Sequence, residues 1–169
     1  MAPRTLVLLR HARAEPEGDL GDAMRPLAAA GRRQAAAIGP LIQEATGGVD
    51  LVLVSHALRT SETYKILAPA LDPAPEVRVS AELYGAGPRA LLGLLAEVGP
   101  EVRSVLVVGH EPTMSSLAHL LDGADEPVAD RVSFGIGTAT GAVLEVPVRW
   151  DELDRSSARL VALVEPPQG

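Results

Sequence analysis

Thr5-Leu-Val-Leu-Leu-Arg10-His11-Ala12-Arg13 is an apolar run that ends in a cation, an imidazole and a second cation. Residues 5–9 show no apolar/polar alternation, which marks a strand buried on both faces. Such strands belong to parallel sheets covered by helices on each side. In open sheets of this kind, ligands gather just outside the carboxyl ends of the strands, and Arg10 and His11 fall at that edge. Taken alone, the run is equally consistent with a strand capped by an arginine and followed by an incidental loop histidine. The same construction, however, recurs twice more along the chain.

Asp50-Leu-Val-Leu-Val54 is a second buried strand, followed by Ser55-His56-Ala57-Leu58-Arg59-Thr60. Ser104-Val-Leu-Val-Val-Gly109 is a third, ending in His110-Glu111-Pro112. Helical stretches lie between these strands. One is expected from Arg25-Pro26-Leu27 to about Glu44, with a kink or break at Gly39-Pro40. Others are expected from about Leu58 to Ala70, from Pro88 to about Val98, and from Pro112 to about Leu121. Val77-Arg-Val79 reads as a short strand and Glu82 to Gly87 as a loop. Residues 131–148 and 158–164 read as two or three final strands, a hairpin-like edge. Strands alternating with helices predict an α/β domain with a mainly parallel sheet and helices on both faces. With no linker, repeat or low-complexity block, residues 1–169 are expected to form one domain.

Composition narrows the function classes. At 169 residues a chain buries roughly 70% of its unfolded surface, enough for a core without disulfide or metal staples. No cysteine is present, which excludes disulfides, a thiolate nucleophile and a cysteine-based zinc site. The net charge of −7 argues against nucleic-acid binding, which calls for a basic face. No run of about 18 apolar residues suggests a membrane span, and the N-terminus shows no export pattern. The expectation is a soluble cytoplasmic protein. His110-Glu111 has no second histidine at zinc-protease spacing, Gly135 to Gly141 lacks a strand–helix context, and Ser55 lacks a nucleophile elbow.

If the three strands are parallel, Arg10-His11, Ser55 with Arg59, and His110-Glu111 converge on one rim. Arginine forks match phosphate oxygens bidentately, and each charge-assisted hydrogen bond is worth about 1.5–3 kcal/mol. A neutral imidazole is a competent nucleophile near pH 7. The combination suits phosphoryl transfer through a phosphohistidine, with charge neutralised by arginines rather than by a metal.

Arg10-His11-Ala12 after an apolar strand resembles the signature of the histidine phosphatase, or phosphoglycerate mutase-like, superfamily. Ser55 to Thr63 is similar to the block carrying its second arginine, and Val107 to Pro112 to the block carrying its second histidine. Arg25-Pro26-Leu27 with Gly31 and Gln34, and Glu82-Leu83-Tyr84, look like the SixA phosphohistidine phosphatase branch. Four blocks occur in order over roughly residues 4–122; the resemblance is weak beyond. It implies a three-layer α/β/α fold, no metal or other cofactor, and His11 as the phosphorylated nucleophile. Arg10, Arg59 and His110 would bind phosphoryl oxygens, Arg25 would contact substrate or form a structural ion pair, and Glu82 would be the proton donor and acceptor. Glu111 stands where another branch has its acidic proton donor, so the two carboxylates compete. Ala12 replaces the commoner glycine, and His56 stands where proline is usual. Arg13 and His56 read as solvated and His119 as structural. The short connections favour an open site suited to protein phosphohistidine or an exposed phosphate monoester. The alternatives are a small nucleotide or sugar phosphate, or a non-catalytic module that binds a phosphorylated ligand.

Overall fold

The computed structural model describes residues 2–123, 130 and 132–168. A six-stranded sheet with order β3-β2-β4-β1-β5-β6 is built from β1 (Arg4–Arg10), β2 (Leu51–Ser55), β3 (Glu76–Ser80), β4 (Ser104–Gly109), β5 (Gly141–Val146) and β6 (Arg159–Val164). β1 pairs with β4, β4 with β2 and β2 with β3, all parallel. β5 runs antiparallel to β1 and to β6, so the final pair forms the expected hairpin-like edge on a mainly parallel sheet.

The unbroken apolar runs are explained by two covered faces. Val7, Leu9, Val52, Val54, Leu106 and Val108 pack with Ile38 and Ile42 of α1 (Ala29–Thr46) and Leu67 of α2 (Leu58–Leu67). The alternate residues Leu6, Leu8, Leu53, Val105 and Val107 pack with Leu91 and Leu95 of α4 (Pro88–Ala96) and with Leu117 and Leu121 of α5 (Thr113–Leu121). A fully buried leucine contributes about 1.5–3 kcal/mol relative to exposure, so a strand with no exposed face is favoured wherever helices can cover both sides.

Four expectations need correction. The first helix begins at Ala29 rather than Arg25. Leu27 forms an isolated bridge with Ala14, and its N–H donates to the Glu62 carboxylate at 2.8 Å, which keeps this segment extended. The helix is not broken at Gly39-Pro40; Pro40 lies within it on an exposed face. Glu82–Gly85 is one helical turn, α3, rather than loop. Within 131–148 only Gly141–Val146 is a strand. Residue 131 lies outside the described residues, and positive φ values at Gly135 (96°) and Ala139 (51°) interrupt any extended ladder before β5.

Gly31 decides how closely α1 approaches the segment after His11. A Cβ at that position would lie 1.9 Å from the carbonyl oxygen of Arg13, whose place is fixed by accepting the Ala28 N–H at 2.9 Å. Gly31→Ala must therefore push the helix off the His11 loop. Thermal unfolding is expected to show a loss of about 3 kcal/mol, the upper end of overpacking costs, with a drop in Tm of roughly 6–12 °C. An unchanged Tm would mean that the helix can move without cost.

Candidate active site

Register places the site. Arg10 is opposite Gly109 across the β1–β4 pair, and Val54 is opposite Val108 across β2–β4. Three parallel strands therefore end together, and the residues that follow share one rim. His11 and His110 follow β1 and β4, and their ring centroids are 5.6 Å apart. Arg59 sits in the first turn of α2, only 6% exposed.

Side chains from the two helices on one face hold the His11 loop. Thr63 Oγ1 accepts the Ala12 N–H at 3.0 Å and donates to the Arg59 carbonyl at 2.7 Å. Gln34 accepts the Arg13 N–H at 2.9 Å and donates from Nε2 to Thr138 at 3.1 Å. The Ala139 N–H donates to the His11 carbonyl at 3.0 Å. The backbone around the imidazole is thus tied to α1, to α2 and to the 135–140 segment.

His11 is 8% exposed, and its Nδ1 lies 2.7 Å from the Ala12 carbonyl oxygen. A carbonyl only accepts, so Nδ1 carries the proton and Nε2 keeps its lone pair. Burial lowers the His11 pKa to about 4; the Ala12 hydrogen bond opposes this, and the charges of Arg59, Arg10 and Arg25 reinforce it. His110 is also lowered to about 4, first by burial and then by Arg59 and His11. Its Nε2 lies 2.8 Å from Ser55 Oγ. Arg10 donates from Nη1 to the Ile136 carbonyl at 3.0 Å. Arg10 Nε, Arg59 Nε and His110 Nδ1 are buried with no hydrogen-bond partner among the described residues. Buried polar groups are rarely left unpaired, and these three belong to side chains that share one rim. The arrangement sets a neutral imidazole with a free Nε2 lone pair beside two cations.

Sequence reasoning missed two participants. Asp22, in the short 3₁₀ turn Asp22–Met24, sits on Arg59: its carbonyl accepts from Nη1 at 2.9 Å and its Oδ2 from Nη2 at 3.1 Å. Tyr84 Oη donates to the same Oδ2, and Arg25 pairs with Oδ1 at 3.2 Å. These contacts, Tyr84 first, lower the Asp22 pKa to about 2. Tyr84 also meets His110 edge-on, with centroids 5.5 Å apart, and its ring centroid lies 5.9 Å from Arg59 Cζ. Tyr84 stood in the Glu82-Leu83-Tyr84 block without a role of its own, and for Asp22 the signal was its spacing from Arg25 on one turn.

The remaining candidates separate clearly. Arg25 faces the site, held by Asp22 and by the Glu15 carbonyl at 2.7 Å. Glu82 is exposed at the start of α3 and makes no hydrogen bond or ion pair among the described residues. The Glu111 carboxylate accepts from Ser115 N at 2.8 Å, Ser115 Oγ at 2.6 Å and Ile136 N at 3.1 Å. His56 is exposed against Tyr84, with centroids 5.3 Å apart. Arg13 is exposed, and His119 lies on the exposed side of α5.

Residues 6–84 match the model of the histidine phosphatase superfamily, branch 1. An uncharacterized protein of Mycobacterium tuberculosis, Rv1276c, is 38% identical over 161 residues, 94% of this chain and 99% of that one. This chain belongs to the histidine phosphatase superfamily. The solved structure assigned as phosphohistidine phosphatase SixA from Nakamurella multipartita is 31% identical, with a TM-score of 0.87 over 98% of each chain. Its counterpart from Agrobacterium tumefaciens is 29% identical, with a TM-score of 0.79 over 97% of this chain and 99% of that one. The fold is accordingly the phosphoglycerate mutase-like three-layer sandwich. The enzyme is a hydrolase of phosphorylated substrates, of the superfamily that works through a phosphohistidine. No helix is long and apolar enough to cross a membrane among the described residues.

The two depressed imidazoles make this histidine phosphatase acid-sensitive. Between about pH 4 and the ordinary value of 6.5, the folded chain binds fewer protons than the unfolded chain. Stability therefore rises with pH across that window; it is complete above 6.5 and is lost as pH falls toward 4. Urea midpoints are expected to fall progressively from pH 7 to pH 4.5. Imidazole NMR titrations are expected to place both groups near pH 4, and Arg59→Ala should raise His110. Titration of both rings near 6.5 would remove the electrostatic basis of the site.

Proposed function

We propose that the chain is a metal-independent phosphatase whose principal substrate is phosphohistidine on a protein, or another exposed phosphoryl group. One observation carries the reading: His11 keeps an unprotonated Nε2 beside the buried Arg59 and the half-buried Arg10. In the first step, the Nε2 lone pair attacks phosphorus in line, the N–P bond forms, and the bond to the leaving nitrogen or oxygen breaks. Arg10, Arg59 and His110 bind the non-bridging oxygens, and Arg25 contributes positive charge from the mouth. The leaving group takes a proton from Glu82. Water then attacks the phosphorylated His11, Glu82 takes back a proton, and phosphate leaves with the imidazole restored. Glu82 is preferred to Glu111 because its carboxylate is open, whereas Glu111 already accepts three hydrogen bonds.

Two features support a protein substrate. The connections from β2 to α2 and from β4 to α5 are short, leaving the rim unroofed on that side. Leu20 and Met24, which flank Asp22, are 79% and 49% exposed and suit contact with another protein surface. A phosphoramidate also makes a smaller demand on the proton donor than a phosphate ester does. The cytoplasmic setting belongs to the same proposal.

Phosphate release from a phosphohistidine protein and from a chromogenic aryl phosphate, side by side with chelator present, tests the reading. His11→Ala is expected to lose more than about 10³-fold in kcat on both substrates, and acid-labile phosphate should be trapped on the wild type alone. Glu82→Gln is expected to lose about 10²-fold on the ester and much less on phosphohistidine. Turnover that persists in His11→Ala, or that disappears with chelator, would refute the mechanism. Release confined to small esters would move the substrate to the small-molecule class. Phosphate-dependent binding without release would indicate a binding module.

A further inference from the structure

We propose that Glu111 is a positioning residue for Arg10, acting through the Ile136 peptide. The inference rests on the reading in which Arg10 binds a phosphoryl oxygen. It assigns Glu111 a role other than proton transfer.

Glu111 immediately follows His110, and its carboxylate is taken up by hydrogen bonds within the protein. Oε1 accepts the Ser115 N–H at 2.8 Å, and Oε2 accepts Ser115 Oγ–H at 2.6 Å and Ile136 N–H at 3.1 Å. The other side of residue 136 meets Arg10: the Ile136 carbonyl accepts from Nη1 at 3.0 Å. One residue thus has its N–H held by a carboxylate and its C=O held by the guanidinium. The Ile136 side chain is 7% exposed within the core, so the peptide has little freedom to shift independently. The Arg10 N–H donates to the Thr140 carbonyl at 3.1 Å, which closes the segment onto β1 at its far end.

Gly135 shows that the carboxylate fits closely. Its φ of +96° lies where side chains are rarely tolerated, and a Cβ there would come within 3.2 Å of Glu111 Oε2. A guanidinium is a planar fork, so fixing Nη1 sets the plane in which its remaining N–H groups point. Arg10 Nε, buried and without a partner among the described residues, takes its direction from that plane. Loss of the Glu111 clamp would leave the charge of Arg10 in place but free its orientation, and small misplacements of a binding group cost up to about 10²-fold.

The experiment is a double-mutant cycle read by orthovanadate inhibition and by KM for an aryl phosphate. Glu111→Gln preserves size but replaces one acceptor oxygen with a donor. It is expected to raise both constants about tenfold, with kcat changed less than about threefold. Arg10→Ala is expected to raise them further on its own, and adding Glu111→Gln to it should change them less than about twofold. Ser115→Ala, which removes one hydrogen bond from the same carboxylate, provides the cycle should the glutamine variant fail to fold. Its smaller rise should likewise vanish in the Arg10→Ala background. Equal effects in both backgrounds would overturn the proposal. So would an unchanged KM with a fall in kcat that grows for poorer leaving groups, which would make Glu111 the proton donor. If Arg10→Ala alone leaves vanadate inhibition unchanged, the assignment of Arg10 itself fails.

Discussion

Two guanidiniums and two imidazoles share one rim at close quarters because the imidazoles are uncharged. Burial and the neighbouring arginines bring both histidines to about 4, so at neutral pH the positive charge resides on Arg10, Arg59 and Arg25. Were the histidines protonated as well, adjacent like charges would add several kcal/mol of repulsion at short range and low dielectric. The same neutrality is what the proposed nucleophilic role of His11 requires, because a protonated imidazole has no lone pair on Nε2. One electrostatic fact thus governs both the stability of the rim and its chemistry.

The scaffold defends this arrangement with modest means. Thr63, Gln34 and Glu62 touch backbone groups rather than the reacting centre. Each hydrogen bond contributes about 1 kcal/mol net, too little to define the fold. Their value is geometric, since Thr63 and Gln34 fix the two peptides that follow His11 and Glu62 fixes the one before Leu27, from two helices whose own positions come from the apolar layer beneath. The sheet decides where the chemistry is, and these polar side chains decide how tightly it is held.

Much of this was legible in the residues themselves. The unbroken apolar runs before Arg10, Ser55 and His110 identified buried parallel strands, and parallel strands necessarily end on one side. That argument put Arg10, His11, Ser55, Arg59, His110 and Glu111 on one rim, and the resemblance to the histidine phosphatases singled out Arg10, His11, Arg59 and His110 among them. What escaped notice depends on chain segments folding back. Asp22 lies on the long connection between β1 and α1, and nothing local specifies that this connection returns to Arg59. Pro26 favoured a helix start, but pairing of Leu27 with Ala14 and the pull of Glu62 on its N–H outweighed that local preference. The segment before β5 carried a strand-like composition, but two positive φ values turned it into a support for Arg10.

The carboxylate of Asp22 gives the rim a built-in counter-ion. An anion arriving at the outer nitrogens of Arg59 meets a guanidinium that is already paired, so its net gain is the difference between two ion pairs rather than the worth of one. A simple carboxylate gains almost nothing by such an exchange. In the proposed mechanism a phosphoryl dianion, with more charge and three oxygens to distribute among Arg10, Arg59 and His110, would keep a surplus. Selectivity for phosphate over the abundant carboxylates of a cell can therefore come from competition inside the protein, with no need for a pocket shaped to exclude them.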